Sequence, residues 1–221
     1  MSLLSFNFGK PFFDVQFVSD VTDHHISGRA ILLNLGEAEV RIEGQILPPL
    51  ASIFVRDATI QGVDKILLIV ELDSGASDEA LMARIRQTWP TAFDVRGEER
   101  LRGVEHYMSP KQGIKNFAFS FYHSASVPLR VGLHKDHPFC PVPGFREVHT
   151  QIRGVGMMQQ ARERDLTTIY LEELMAPGTT HRPMFDAQGN YPWHQYETVT
   201  PSVFLAVEIL PDGVMNEAPA P

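Results

Sequence analysis

Residues 132–156 read GLHKDHPFCPVPGFREVHTQIRGVG, and this stretch decides how the rest of the chain is read. It holds three of the nine histidines, His134, His137 and His149, together with Glu147 and two closing glycines, Gly154 and Gly156. Side chains alternate along a strand. A strand over Glu147–Arg153 therefore puts Glu147, His149 and Gln151 on one face and Val148, Thr150 and Ile152 on the other. An acid, an imidazole and an amide make an odd core face, but they suit the wall of a polar cavity. Downstream, His194-Gln195-Tyr196 has the same period, so His194 and Tyr196 share a face.

Upstream, the chain reads as β-rich scaffold. One or two short strands are expected in residues 1–20, and Ile31–Leu35 is a short apolar run ending at Gly36. Glu37–Glu43 alternates strictly, and Ile53–Val55 and Ile66–Leu72 add two more strands. The clearest helix runs from Asp78 to Trp89: Ser77 caps it, Leu81, Ile85 and Trp89 form one apolar stripe, and Pro90 stops it. This helix and the loop to Gly103 read as a linker. Beyond it, Phe117–Phe121, Val127–Leu133, Thr168–Leu174 and Val203–Leu210 are expected strands, and the tail from Pro211 is expected to be mobile. Short strands at this spacing predict an all-β sandwich or barrel, because a parallel α/β sheet needs a helix after most strands.

Composition excludes several classes. Nineteen basic against twenty-seven acidic residues leave a net charge of -8, with no basic run to meet a nucleic acid. No apolar run approaches the roughly 20 residues that span a bilayer. The N-terminus has no signal-peptide pattern, and the one cysteine, Cys140, has no internal partner for a disulfide, so a cytoplasmic location is expected. Cys140 stands between prolines without a visible base and reads as incidental. His24, His25, His106 and His123 read as ordinary residues.

Two or three imidazoles with one carboxylate, and no thiolate, suit a divalent first-row ion: Fe, Mn, Ni or Zn. Such an ion polarises a carbonyl as a Lewis acid, while His149 or Glu172 and Glu173 move protons. Gln151, Gln159 and Tyr196 are candidate substrate-binding wall residues. Asp136 and His181 are rival ligands, each read more readily as a loop residue. His134-x-Asp136 with a distant His194 is also the facial-triad pattern of non-haem iron oxygenases.

The spacing resembles the cupin superfamily of jelly-roll barrels. Its first motif has a glycine, a histidine pair, a glutamate, six residues and a glycine, matched by Gly132, His134, His137, Glu147 and Gly154. Its second motif runs from a Pro-Gly turn to a proline and a histidine, matched by Pro177-Gly178, Pro192 and His194. REVHTQIRGVGMMQ followed by MAPGT, PWH and FLAVE is most similar to cupin-type phosphoglucose isomerases and related sugar isomerases. Two residues part His134 from His137 where the family usually has one. The loop to Glu147 and the stretch from Gly178 to His194 are longer than usual.

The resemblance implies a metal-binding jelly-roll barrel over residues 104–221. It also implies a bicupin-like arrangement with a degenerate β-barrel half over 1–103 that includes the helix near 78–89. Its implied metal ligands are His134, His137, Glu147 and His194, with Glu147 and His149 catalytic. The expected activity is isomerase-like proton transfer on a sugar or hydroxy-ketone. The alternatives are an Fe(II) dioxygenase and a non-catalytic small-molecule-binding barrel. The expected partner is a small-molecule substrate, without nucleic acid or membrane. A homodimer that covers an open sheet edge is compatible with the fold.

Overall fold

The structure, a computed structural model, describes residues 2–73, 75–129, 132–137, 142–211 and 213–215. Cys140 and the end of the tail from residue 216 lie outside the described residues. The architecture is all-β with antiparallel pairing throughout. It divides into two compact units: residues 1–76 with 178–182, and residues 77–177 with 183–221.

The first unit is one five-stranded sheet. β1 (Ser2–Phe6), β2 (Phe13–Asn34), β3 (Val40–Ile42), β4 (Gln45–Leu47) and β5 (Ser52–Glu71) lie in the order β1-β2-β5-β3-β4. The separate short strands expected from the sequence join into two long ones, β2 and β5. That pair rolls on itself: Leu32 stands opposite Ile53 on one side and Leu68 on the other, and Leu68 also faces Gln16. Left-handed residues mark the bends, Asp20 and Gly28 in β2 and Asp57 and Gly62 in β5. The Asp57 carboxylate takes the Gly28 N–H at 2.7 Å. Rolling encloses Val18, Ile26, Leu32, Ile60, Ile66 and Leu68 in one apolar cluster. The alternating stretch 37–43 is a strand only over Val40–Ile42. It turns at Glu43-Gly44, both at positive φ as a two-residue hairpin requires.

In the second unit, helix α1 spans Asp78–Thr88, and the Ser77 side chain accepts the Ala80 N–H as the cap. Leu81 and Ile85 are fully buried, and the Trp89 ring stacks on Phe121 at 6.1 Å. Each such buried side chain contributes roughly 1.5–3 kcal/mol. This burial is why the helix belongs with the second unit, whereas the sequence division at 103 places it with the first half. A short helix α2 (Ala92–Arg96) and a 3₁₀ turn (Glu99–Leu101) follow.

Two sheets then face each other. One contains β6 (His106–Met108), β8 (Phe117–Ser124), β13 (Ser202–Ile209) and β9 (Arg146–Arg153) in that order, with β7 (Gln112–Ile114) also on β8. The other has the order β11 (Ile169–Met175), β10 (Gly156–Ala161), β12 (Trp193–Thr198). Their inner faces meet through Met108, Tyr122 and Phe204 from the first and Met158, Met175 and Tyr196 from the second. The expected strand over 127–133 is not formed by the described residues of that span. Pro128 has no ladder donor, and the Leu129 N–H goes instead to Thr198 Oγ1 at 2.8 Å.

Strands β9 and β10 are halves of one path, as are β12 and β13. The kinks meet: the N–H groups of Val199 and Thr200 both donate to Val155 O, at 2.9 and 3.0 Å. Only glycine fits on either side of Val155. A Cβ on Gly154, which has positive φ, would lie 2.1 Å from Pro201 O, and one on Gly156 would lie 2.1 Å from Tyr196 Oη. The two closing glycines of the sequence motif thus pass one strand pair from one sheet to the other.

Candidate metal centre

Three segments of the second unit converge on one point. Strand β9 supplies Glu147 and His149 from the same face. Strand β12 supplies His194 and, two residues on, Tyr196. The loop 132–137 supplies His134 and His137, and backbone pairing pins it in place. His134 N–H donates to His194 O and His194 N–H donates to His134 O, both at 3.0 Å. That two-residue bridge sets the two imidazoles side by side, with ring centroids 4.5 Å apart. His137 packs between Phe145 and Tyr191, at centroid distances of 5.0 and 4.7 Å.

One ligand atom from each of His134, His137 and His194 lies within 4.8 Å of the others. His194 Nε2 is 3.2 Å from His137 Nε2, and Glu147 Oε2 is 3.5 Å from His137 Nε2 and 3.6 Å from His149 Nε2. Two donors each about 2.1 Å from one ion stand roughly 3.0 Å apart at a right angle and about 3.4 Å apart at the tetrahedral angle. The His137–His194 and His137–Glu147 separations fit that geometry.

The outer nitrogens fix the tautomers. His194 Nδ1 donates to Pro192 O at 3.0 Å and His134 Nδ1 to Gly132 O at 3.2 Å. Each keeps its proton on Nδ1 and presents a bare Nε2, the state in which histidine ligates a metal. The donor set therefore fits a divalent ion held by three imidazoles and one carboxylate.

Protonation agrees with this. Burial lowers His134 to about 3 and His194 to about 4, and it also lowers His137, so all three are neutral near pH 7. Burial alone raises the Glu147 carboxyl, but His149, His137 and Arg96 outweigh it and hold the group well below the usual carboxylate range. The Tyr196 hydroxyl is pushed up to about 12, chiefly by burial, and stays protonated.

A cavity of about 80 Å³ opens beside the cluster, lined in part by His134, His137, Glu147, His149, His194 and Tyr196. These are the sequence candidates that the fold brings together. Gln151 and Gln159 do not line it. Gln151 is fully buried, donates to Arg153 O and accepts the Tyr196 hydroxyl at 2.8 Å, so it braces Tyr196 from behind. Gln159 follows inward-facing Met158 and so points to the other side of its sheet, where it bonds Gln195 and Glu172 at 2.7 Å each. Glu172 and Glu173 also stand outside the cavity lining, and Asp136 is exposed. His181 is buried in the first unit, with Nδ1 on Arg182 O.

The sequence reading missed four polar lining residues: Arg96, Arg100, His106 and Tyr122. His106 is buried, held by Ser124 Oγ at 2.7 Å, stacked on Tyr122 at 5.0 Å, and lowered to about 3 by that burial. Neither arginine lies in a histidine motif. Their alternation with Glu98 in RGEER was the available signal.

No family model matches the chain, and no curated protein sequence matches it. Among solved structures, a mutant of Bacillus subtilis oxalate decarboxylase is similar at 10% identity and a TM-score of 0.36, covering 94% of this chain and 71% of that one. A cupin 2 conserved barrel domain protein from Leptotrichia buccalis is similar at 12% identity and a TM-score of 0.32, covering 95% and 88%.

Proposed function

We propose that the second unit is a metal-dependent catalytic barrel of cupin type that moves a proton on a small hydroxy-ketone. The observation that carries this reading is the 3.2 Å approach of His137 Nε2 to His194 Nε2 while His194 gives its own proton to Pro192 O. That leaves His194 Nε2 a bare acceptor, met by the His137 N–H or, with His134 and Glu147 alongside, by a shared cation. His134, His137, His194 and Glu147 would hold Fe, Mn, Ni or Zn. When bound, the ion supplies Lewis acidity toward a carbonyl oxygen.

The remaining work falls to the chain's own groups. His149 lines the cavity, and its Nε2 lies 3.6 Å from Glu147 Oε2, which orients the ring. His149 takes the proton from the hydroxyl-bearing carbon and returns it to the former carbonyl carbon. The hydroxyl proton passes to the other oxygen, so a hydroxy-ketone becomes its hydroxy-aldehyde isomer with no net gain or loss of atoms.

The facial-triad form of dioxygenation has less support, because exposed Asp136 is not among the residues lining the cavity. The test is proton exchange. Metal-loaded protein in heavy water with dihydroxyacetone or hydroxypyruvate is expected to deuterate the carbon beside the carbonyl. His149→Gln is expected to lower that rate 10²-fold or more, in the range of general acid–base catalysis, with metal content unchanged. Equal exchange by wild type and His149→Gln would remove His149 from the chemistry. No exchange by the metal-replete wild type would count against proton transfer.

A further inference from the structure

The cavity has a second charged wall that the metal reading does not use. Arg96 ends α2, Gly97 turns the chain with φ of 67°, and Arg100 follows on the 3₁₀ turn. Between them Glu98 gives one carboxylate oxygen to each arginine: Arg96 Nε to Oε1 and Arg100 Nε to Oε2, both at 2.6 Å. The Glu98 and Arg96 side chains are 14% and 15% exposed, and Arg100 is 30% exposed toward the rim. One carboxylate thus holds two guanidiniums by their Nε edges, and both arginines line the same cavity as the histidines. Arg96 Nη1 also reaches the Tyr122 hydroxyl at 3.5 Å.

Charge accounting shows what this wall is for. Two guanidiniums share one carboxylate, Glu98, so this wall carries one more positive than negative charge. Excess positive charge on a partly buried wall is unfavourable unless a counter-charge meets it. An anionic ligand removes that penalty. A planar carboxylate matches the guanidinium fork.

We infer that Arg96 and Arg100, pre-aligned by Glu98, form the binding site for the carboxylate of a small anionic substrate, so that the reacting end of that substrate reaches the metal centre. This rests on the metal reading for the second half of the statement only. It narrows the substrate class to short hydroxy-keto acids.

Calorimetric titration of the metal-loaded full chain with malonate and with its neutral isostere malonamide tests the site. Metal content is measured on the same samples. Malonate is expected to bind and malonamide to bind at least tenfold more weakly. Arg100→Gln is expected to weaken malonate tenfold or more without changing metal content or thermal midpoint, and Arg100→Lys to recover part of that loss. Arg96→Gln is the deeper test. Should it unfold, the rim variant Arg100→Gln decides. Equal affinity for the two probes, or malonate affinity unchanged by Arg100→Gln, overturns the inference. Binding of phosphoglycolate with malonate silent overturns the carboxylate assignment. Protein that takes up no metal yet binds malonate through the arginines leaves this inference standing and sinks the metal reading. Metal-replete protein blind to malonate does the reverse.

Discussion

A histidine becomes a ligand when its other nitrogen is committed, and His194 and His134 meet that condition through the carbonyls of Pro192 and Gly132. The metal-free protein carries a cost for keeping these rings buried and neutral. His106, His134 and His194 are lowered to about 3, 3 and 4, against an ordinary value near 6.5. The unfolded chain therefore binds more protons than the folded one below about pH 6.5. Their contribution to stability is complete above that pH and is lost as pH falls toward 3, at about 1.4 kcal/mol per pH unit for each group. The urea midpoint of metal-free protein is expected to drop steeply between about pH 6.5 and 4.5, and a flat midpoint would contradict the burial argument. Glu147→Gln keeps the shape but removes the charge from the donor set, and it is expected to weaken metal uptake at least tenfold in competition with a chelator. His149→Gln is expected to leave uptake unchanged.

Among the elements, the kinked path from β9 to β10 carries the most consequence. Its Gly156 leaves room for Tyr196, whose hydroxyl bonds Gln151 at 2.8 Å. Gly156→Ala puts a methyl group into that hydroxyl and is expected to lower stability by about 1–3 kcal/mol, as overpacking does. Tyr196→Phe removes only the hydrogen bond and is expected to lower it by about 1 kcal/mol. Thermal denaturation of the two variants separates the effects, and a neutral Gly156→Ala would show that the ring moves freely. Local signals of this kind were legible in the sequence: the Ser77 cap, the 81-85-89 stripe and the alternation over 147–153 all describe observed elements. Strand β10 was not legible, because MMQQ carries no clean alternation and both its faces are largely covered. The long strands of the first unit are expected only as pieces, because the bends at Asp20, Gly28, Asp57 and Gly62 lie within continuous pairing that local pattern does not show. RGEER falls in the stretch expected to be a linker, and its alternation of charge alone does not tell that the Glu98 carboxylate holds both arginines at a cavity.

At the scale of the whole chain, both units are built around a pair of long antiparallel strands bent midway: β2 with β5, and β9–β10 with β12–β13. Among the described residues, the candidate metal cluster lies in the second unit alone. A chain beginning at Ser77 is expected to take up metal with the stoichiometry of the full chain. It is also expected to melt at lower temperature, because residues 178–182 lose the Ser52 hydroxyl that holds Gly178 O and Thr180. Loss of metal uptake from that fragment would show that the first unit does more than support its own five-residue guest. The central claim is the metal centre, and elemental analysis of purified full-length protein, beside Glu147→Gln and His194→Ala, tests it most directly. The account predicts about one Fe, Mn, Ni or Zn per wild-type chain, a reduced content in Glu147→Gln, and none in His194→Ala. A wild-type chain that stays metal-free after reconstitution, or a His194→Ala chain that keeps its full complement, would contradict it.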